Sequence, residues 1–319
     1  MTTAIPDNSE LVINWHLTEA CNYKCRYCFA KWQRPEGGPR ELIHNRSHTR
    51  KLLSELYGFF RPGNPDNPLT HKMRWDSLRL NLVGGEPLLY ADKALQTIGF
   101  ARELGFSVSL ITNGSLLSED LLSAMAPDLS VLGFSFDSTL NAPNREIGRA
   151  DRNGQCLSVR QLESCMALAK RINPRIELKL NTVVNASNWQ EDMTDFIAGL
   201  GLTKWKVLRM LPVLTNDLAV SDEAFQSFVR RHQSLGKVMC VEDNADMTES
   251  YLMIDPCGRF FQSASNKAGY EYSLPILEAG IGKAFSQTCF QEDKFASRYA
   301  PVSDGMLARH PLPSLIHTI

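Results

Sequence analysis

Three cysteines stand together as Cys21-Asn-Tyr-Lys-Cys25-Arg-Tyr-Cys28, directly after an apolar run. A CxxxCxxC spacing lets three thiolates hold three irons of a [4Fe–4S] cube. The fourth iron then lacks a protein ligand and can take a small molecule. Clusters that only transfer electrons normally have four cysteine ligands. A structural zinc site also takes four ligands, usually as paired CxxC or as CxxC with HxxxH, and no second pair is in view. A disulfide would need an oxidising compartment.

Further residues gather where strands are expected to end. Gly84-Gly85-Glu86-Pro87 offers backbone without a Cβ, a carboxylate and a stiff turn. Thr112-Asn113-Gly114-Ser115 and Ser135-Phe136-Asp137-Ser138 place polar groups at two more such ends. Each of these alone is equally an ordinary turn or helix cap. Lys179 and Asn181 share one face of a run, as do Lys204 and Lys206 of the next. Lysines on neighbouring strands aimed at one cavity are costly unless an anion meets them. A triphosphate would do so through charge-assisted hydrogen bonds. Lys204 and Lys206 can instead snorkel to solvent at a strand start.

The elements that must position these groups alternate. Strands are expected at 11–17, 77–83, 107–112, 131–137, 176–184 and 204–211. Helices are expected near 44–60, 92–105, 118–126, 157–172, 188–200 and 221–235, with a long loop over 61–76. Alternating short apolar runs and helical patterns argue for parallel βα units, as a partial barrel or an open α/β sheet. Successive residues of a strand face opposite ways. Thus Leu11, Ile13, Trp15 and Leu17 oppose Asn14 and His16, and Leu78, Leu80 and Leu82 oppose Arg79 and Asn81. A parallel sheet covered on both faces reads as nearly continuous apolar residues. Strands apolar on one side only fit a barrel with helices outside and a polar cavity within; a sheet with one solvated face is the alternative. His16, on the inward face, is either a structural histidine or a substrate contact.

The chain has 319 residues, 43% apolar and 22% charged, with a net charge of −1. That is enough for one large core or a large domain plus a smaller one. It supplies no global field for nucleic acid or anionic membrane, so an anion site must be local. No apolar run is long enough to span a bilayer, and no signal peptide is seen. Eight cysteines in such a chain suggest a reducing, cytoplasmic setting. Cys156, Cys165, Cys240, Cys257 and Cys289 form no ligand-spaced cluster.

CxxxCxxC with an aromatic Tyr27 before the last cysteine, followed one βα unit later by Gly84-Gly85-Glu86-Pro87, resembles the radical S-adenosylmethionine (SAM) superfamily. The segment Asn14-Trp-His16-Leu-Thr-Glu-Ala-Cys21 through Cys28-Phe is similar to that of viperins. So are Asn113-Gly-Ser115, Ile147-Gly-Arg149, Lys179-Leu-Asn181-Thr-Val-Val-Asn185, Lys204-Trp205-Lys206-Val207 and Ser250-Tyr251-Leu-Met-Ile-Asp255. The likeness runs from about residue 11 to about 300.

The resemblance implies a partial (β/α)6 radical SAM barrel over 11–212, after a tail at 1–10, with a C-terminal extension at 213–319 closing the cavity. It implies a [4Fe–4S] cluster on Cys21, Cys25 and Cys28, and SAM held by Gly84, Gly85, Glu86, Asn113, Ser135 and Arg149. A nucleoside triphosphate (CTP in animal enzymes, UTP or GTP among microbial ones) would meet Asn14, Lys179, Asn181, Lys204 and Lys206. Tyr251 matches a tyrosine near the ribose, a hydrogen or proton donor; it also fits as a plain aromatic strand residue. The implied reaction takes hydrogen from C4′ and loses the 3′-hydroxyl as water, with an electron from an unidentified donor. The chain-terminating 3′-deoxy-3′,4′-didehydro nucleotide accounts for antiviral action.

Three departures stand out. Lys204 replaces an arginine, keeping the charge without the planar bidentate grip. The basic C-terminal segment of animal viperins is reduced here to Lys267 within 262–270. The amphipathic membrane helix of animal viperins has no counterpart, which fits a soluble microbial form without membrane or nucleic-acid partners. Competing readings are a radical SAM enzyme for a peptide or another small molecule, and a non-catalytic metal-binding protein.

Overall fold

A computed structural model describes residues 7–33, 41–263 and 269–297. Eight strands form one parallel sheet: β1 (Asp7–His16), β2 (Arg74–Val83), β3 (Ser107–Thr112), β4 (Val131–Ser135), β5 (Glu177–Val184), β6 (Lys204–Arg209), β7 (Met239–Glu242) and β8 (Leu252–Ile254). Their order is β7-β6-β5-β4-β3-β2-β1-β8. The sheet curls into a half-barrel with helices on its convex side. A hairpin of β9 (Phe261–Ser263) and β10 (Tyr270–Tyr272) follows.

The alternation read from the sequence decides which face is which. Leu11, Ile13, Trp15, Leu78, Leu80, Leu82, Leu178 and Leu180 all lie in the core. The helices α1 (Arg46–Phe60), α2 (Ala91–Leu104), α3 (Glu119–Met125), α4 (Asn141–Ile147) and α5 (Val159–Ile172) follow, then α6 (Thr194–Gly199), α7 (Asp222–Arg231) and α8 (Asn244–Met247). Leu162, Met166 and Ala169 bury the inner stripe of α5, which a Ser158–Gln161 capping box starts. The Asn45 side chain caps α1 by accepting from the His48 N–H at 3.0 Å.

Several boundaries differ from expectation. The first strand begins at Asp7, because Asp7 pairs with Arg74 and Glu10 with Ser77; apolar alternation cannot register polar strand residues. Residues 1–6 of the expected tail lie outside the described residues. The fourth strand stops at Ser135 rather than 137, since the Asp137 side chain takes the Val183 N–H at 2.9 Å in place of a backbone carbonyl. The helix expected over 188–200 spans only Thr194–Gly199. Before it, Asn188 turns the chain locally, accepting from the Asn185 N–H at 2.8 Å and donating to the Asp137 carbonyl at 2.8 Å. The sheet also runs beyond residue 212, where β7 and β8 supply its two edges. Among the described residues no helix is long and apolar enough to cross a membrane.

Candidate active site

The cysteine loop leaves β1 at its carboxyl end, where a parallel sheet offers its strand termini to a ligand. Two neighbours hold it. The N–H groups of Gly85 and Glu86 donate to the carbonyls of Thr18 and Ala20 at 2.7 and 2.8 Å. A Cβ on Gly85 would fall 2.2 Å from the Ala20 oxygen, so this glycine lets the two backbones touch. On the other side, the N–H groups of Lys24 and Arg26 donate to the carbonyls of Gly148 and Ile147 at 3.1 and 2.8 Å.

Cys21, Cys25 and Cys28 are all free and half-buried, and their sulfurs are near enough to act on one another electrostatically. Burial pushes the Cys25 thiol up to about 12, with the neighbouring thiols and Asp137 adding to it and Arg149 opposing. A metal bound to the sulfur would strip its proton at neutral pH. Among the described residues, no three His, Cys, Asp or Glu side chains converge on a point for a single ion. A cube asks for one thiolate at each of three separate corners, and this donor set fits it.

Glu86 is wholly buried and does not face open space. Its oxygens accept from Thr112 Oγ1 at 2.6 Å, the Asn113 N–H at 2.7 Å and the Leu88 N–H at 3.1 Å. It therefore braces the carboxyl end of β3 against that of β2. Asn113 in turn donates to Asn22 Oδ1 at 2.9 Å, while its own Oδ1 accepts from the Ser115 N–H and hydroxyl at 2.9 and 2.6 Å. The turns after β2 and β3 thus reach the cysteine loop through Asn22.

Arg149 has every nitrogen engaged: Nε with Asp137 Oδ2 at 2.7 Å, Nη2 with the Tyr27 hydroxyl at 2.7 Å, and Nη1 with the Ser135 carbonyl at 3.1 Å. Tyr27 also donates to Asp137. A small pocket beside the cysteine loop is lined by Asn113, Ser135 and Arg149 together with Tyr23 and Leu157. Three residues singled out for one ligand thus share one pocket.

Inside the half-barrel a polar ladder runs across four strands, from β3 through β2 and β1 to β8. Ser109 Oγ donates to Asn81 Oδ1 at 2.8 Å, Asn81 Nδ2 to Asn14 Oδ1 at 2.7 Å, and Asn14 Nδ2 to the Leu252 carbonyl at 3.2 Å. Asn14 is consequently engaged, whereas the buried Oδ1 of Asn181 has no hydrogen-bond partner among the described residues. Asn181 pairs with Lys206, and Lys179 with Lys204. Lys204 is exposed at the start of β6, while Lys179 and Lys206 are half-buried. Burial first, then Lys206, holds the Lys179 ammonium well below the usual lysine range; Lys204 and Arg79 add to this and Glu242 opposes.

Lys206 meets two groups from the C-terminal segment. Its Nζ lies 2.5 Å from Glu242 Oε1 and donates to the Tyr251 hydroxyl, which itself donates to Glu242. Three further groups join the site: Tyr27 and Asp137, which the sequence motifs contain without a role of their own, and Glu242, which belongs to none. For Asp137 a signal existed, a carboxylate in the polar end of β4; for Glu242 only the fold supplies one. Lys267, the remaining basic residue of 262–270, lies outside the described residues.

His16 is held by aromatic packing, and its buried Nδ1 has no hydrogen-bond partner among the described residues. It is buried among Trp32, Phe261 and Phe29, with ring centres at 4.9, 5.2 and 5.9 Å, and burial drives its pKa down to about 3. Beside it, the β9–β10 hairpin grips the chain after Cys28. The Gln33 N–H donates to the Tyr272 hydroxyl at 3.1 Å, and Arg259 Nη2 donates to the Gln33 carbonyl at 2.6 Å.

Residues 15–184 match the Radical SAM superfamily. A protein of Psychrobacter lutiphocae named S-adenosylmethionine-dependent nucleotide dehydratase is 42% identical over 93% of this chain and 97% of its own. One of the same name from Pseudoalteromonas ulvae is 42% identical over 92% of this chain and 94% of its own. The Danio rerio S-adenosylmethionine-dependent nucleotide dehydratase RSAD2 is 29% identical over 90% and 76%. Among solved structures, native anSMEcpe with bound AdoMet and Kp18Cys peptide superimposes with a TM-score of 0.62 at 15% identity, over 93% of this chain and 85% of that one. That last likeness is one of fold.

Proposed function

The chain belongs to the radical SAM superfamily and, within it, to the S-adenosylmethionine-dependent nucleotide dehydratases, and from that premise we propose that it dehydrates a nucleoside triphosphate to its 3′-deoxy-3′,4′-didehydro form. CTP is the first substrate to test, then UTP and GTP. The observation that carries this reading is the inner face of β5 and β6, where Lys179 and Lys206 stand beside Asn181 with Tyr251 against Lys206. Half-buried lysines on neighbouring strands, facing the same cavity, favour a polyanion beside them.

Cys21, Cys25 and Cys28 would hold a [4Fe–4S] cluster, which together with SAM would supply a 5′-deoxyadenosyl radical. The chain does the rest by placement. Asn113, Ser135 and Arg149 line the pocket beside the cysteines and would seat SAM, while Gly84, Gly85 and Glu86 would act from the neighbouring turn that lies against the cysteine loop. Lys179 and Lys206 would hold phosphates, with Lys204 at the rim. Asn14 and Asn181 would fix the ribose. Loss of C4′ hydrogen and of the 3′-hydroxyl as water balances with one electron from an external donor and one proton, for which the Tyr251 hydroxyl is the nearest candidate. Glu242 and Tyr251 would complete the site from the described part of the C-terminal extension. The product has no 3′-hydroxyl for a polymerase to extend, which is an antiviral chemistry.

The test is anaerobic. The reconstituted protein is given SAM and dithionite with CTP, UTP, GTP or ATP, and products are followed by mass spectrometry. One triphosphate should raise 5′-deoxyadenosine and a nucleotide lighter by one water together. Cys25→Ala should abolish both. Deoxyadenosine without a dehydrated nucleotide would overturn the substrate reading.

A further inference from the structure

Glu242 belongs to no motif, yet it joins the two groups on which the substrate reading leans. It ends β7 at a position 7% exposed, opposite Leu208 of β6. One carboxylate oxygen sits 2.5 Å from Lys206 Nζ, and the other accepts the Tyr251 hydroxyl. Lys206 also donates to that hydroxyl and lies 4.8 Å from the centre of the Tyr251 ring. Three side chains from β6, β7 and the approach to β8 therefore close one triangle.

A carboxylate this dry needs a cation and hydrogen bonds, and the triangle supplies both. A purely structural ion pair would be satisfied by Lys206 alone. Here the carboxylate also fixes the direction of a phenolic hydroxyl, which would otherwise rotate between two in-plane positions. An ammonium has three donors. Glu242 and Tyr251 take two, which leaves donor capacity for an anion. Whatever anion sits on Lys206 is then held at a set place relative to the phenol.

We propose that Glu242 is a positioning residue that locks the Lys206 ammonium and the Tyr251 hydroxyl into one unit, so that seating a phosphate on the lysine also sets the phenol against the ribose. The proposal rests on the nucleotide reading above and names how its phosphate and ribose ends are coupled.

Two measurements on the full chain test it. In the first, Glu242→Gln and Glu242→Asp are assayed for dehydrated nucleotide formed per 5′-deoxyadenosine. The ratio should fall roughly tenfold in Glu242→Gln, the scale of losing an orienting partner, and recover in part in Glu242→Asp. Triphosphate affinity by equilibrium dialysis should hold or rise, because Lys206 remains in place and a carboxylate that competes for it is gone. An unchanged ratio in Glu242→Gln, or deoxyadenosine and product falling together with a lowered melting temperature, overturns the proposal. The second measurement needs no turnover. The ultraviolet titration of Tyr251 is isolated as the difference from Tyr251→Phe. Glu242→Gln should lower its midpoint, because a neighbouring negative charge is gone. Inorganic triphosphate should move the midpoint in the wild type and not in Glu242→Gln. Should the wild type make no dehydrated nucleotide, the nucleotide reading fails, and this titration still decides Glu242. A midpoint unmoved by the substitution and by triphosphate shows that the carboxylate sets nothing.

Discussion

The Gly148 carbonyl accepts the Lys24 N–H at 3.1 Å, and a Cβ on Gly148 would lie 2.3 Å from the Lys24 carbonyl oxygen. The middle of the cysteine loop is thus laid directly on the turn that ends α4, at a residue with φ of +85°. A side chain there meets both a left-handed backbone and a rigid atom. Gly148→Ala should lose about 1–2 kcal/mol from conformation alone, before the clash is counted. The clash falls on the Lys24 backbone next to Cys25, a proposed cluster ligand, so iron and sulfide content after reconstitution should drop while far-ultraviolet circular dichroism stays native. A variant that loads iron fully would show that this contact does not shape the loop.

Asp137 and Arg149 form a buried pair, with the carboxylate wholly inaccessible. Removing one partner strands the other's charge. Asp137→Ala should cost about 3–5 kcal/mol of unfolding free energy, read from urea denaturation. Arg149→Lys keeps the charge and loses the fork that reaches Tyr27 and Ser135, so it should be weaker in SAM binding than in stability. Loss under about 1 kcal/mol in Asp137→Ala would mark the pair as solvated.

His16 gives the fold a particular acid sensitivity. Its folded pKa is driven by burial down to about 3, whereas an unfolded histidine protonates near 6.5. Between these values the unfolded chain binds a proton that the fold refuses. Stability therefore falls as pH drops from about 6.5, by about 1.4 kcal/mol per pH unit within the window. His16→Phe lacks this contribution, and its unfolding free energy should decline less steeply from about pH 6 to pH 5. Parallel slopes for the two proteins would contradict a dry, neutral imidazole.

Lys179 makes anion binding proton-linked. Burial and Lys206 push its ammonium well below the usual lysine range, and a phosphate beside it would restore the charged form. Triphosphate binding should take up a proton and weaken as pH rises above the lowered midpoint. Calorimetry in two buffers of different ionisation enthalpy reads that proton directly. Lys179→Met should remove the difference between buffers. A wild-type binding heat independent of buffer would place the anion elsewhere.

Much of this molecule is legible without coordinates. Period-two alternation in β1, β2 and β5 is a local property, so the polar inner face and the apolar outer face follow from the sequence alone. The cysteine spacing and the glycine pair are local as well, and so is the family they mark. What tertiary structure decided is which groups meet across the sheet. Asp137 and Arg149 are separated by α4, Tyr27 joins them from the cysteine loop, and Glu86 spends its carboxylate on the turn after β3. Glu242 lies 36 residues from Lys206 in sequence, and only the pairing of β6 with β7 and of β8 with β1 brings it, Lys206 and Tyr251 together. Strand order is set by non-local hydrogen bonding and by which surfaces can be buried at once. No spacing along the chain records it, and the contacts that couple one loop to another appear only when the sheet has formed.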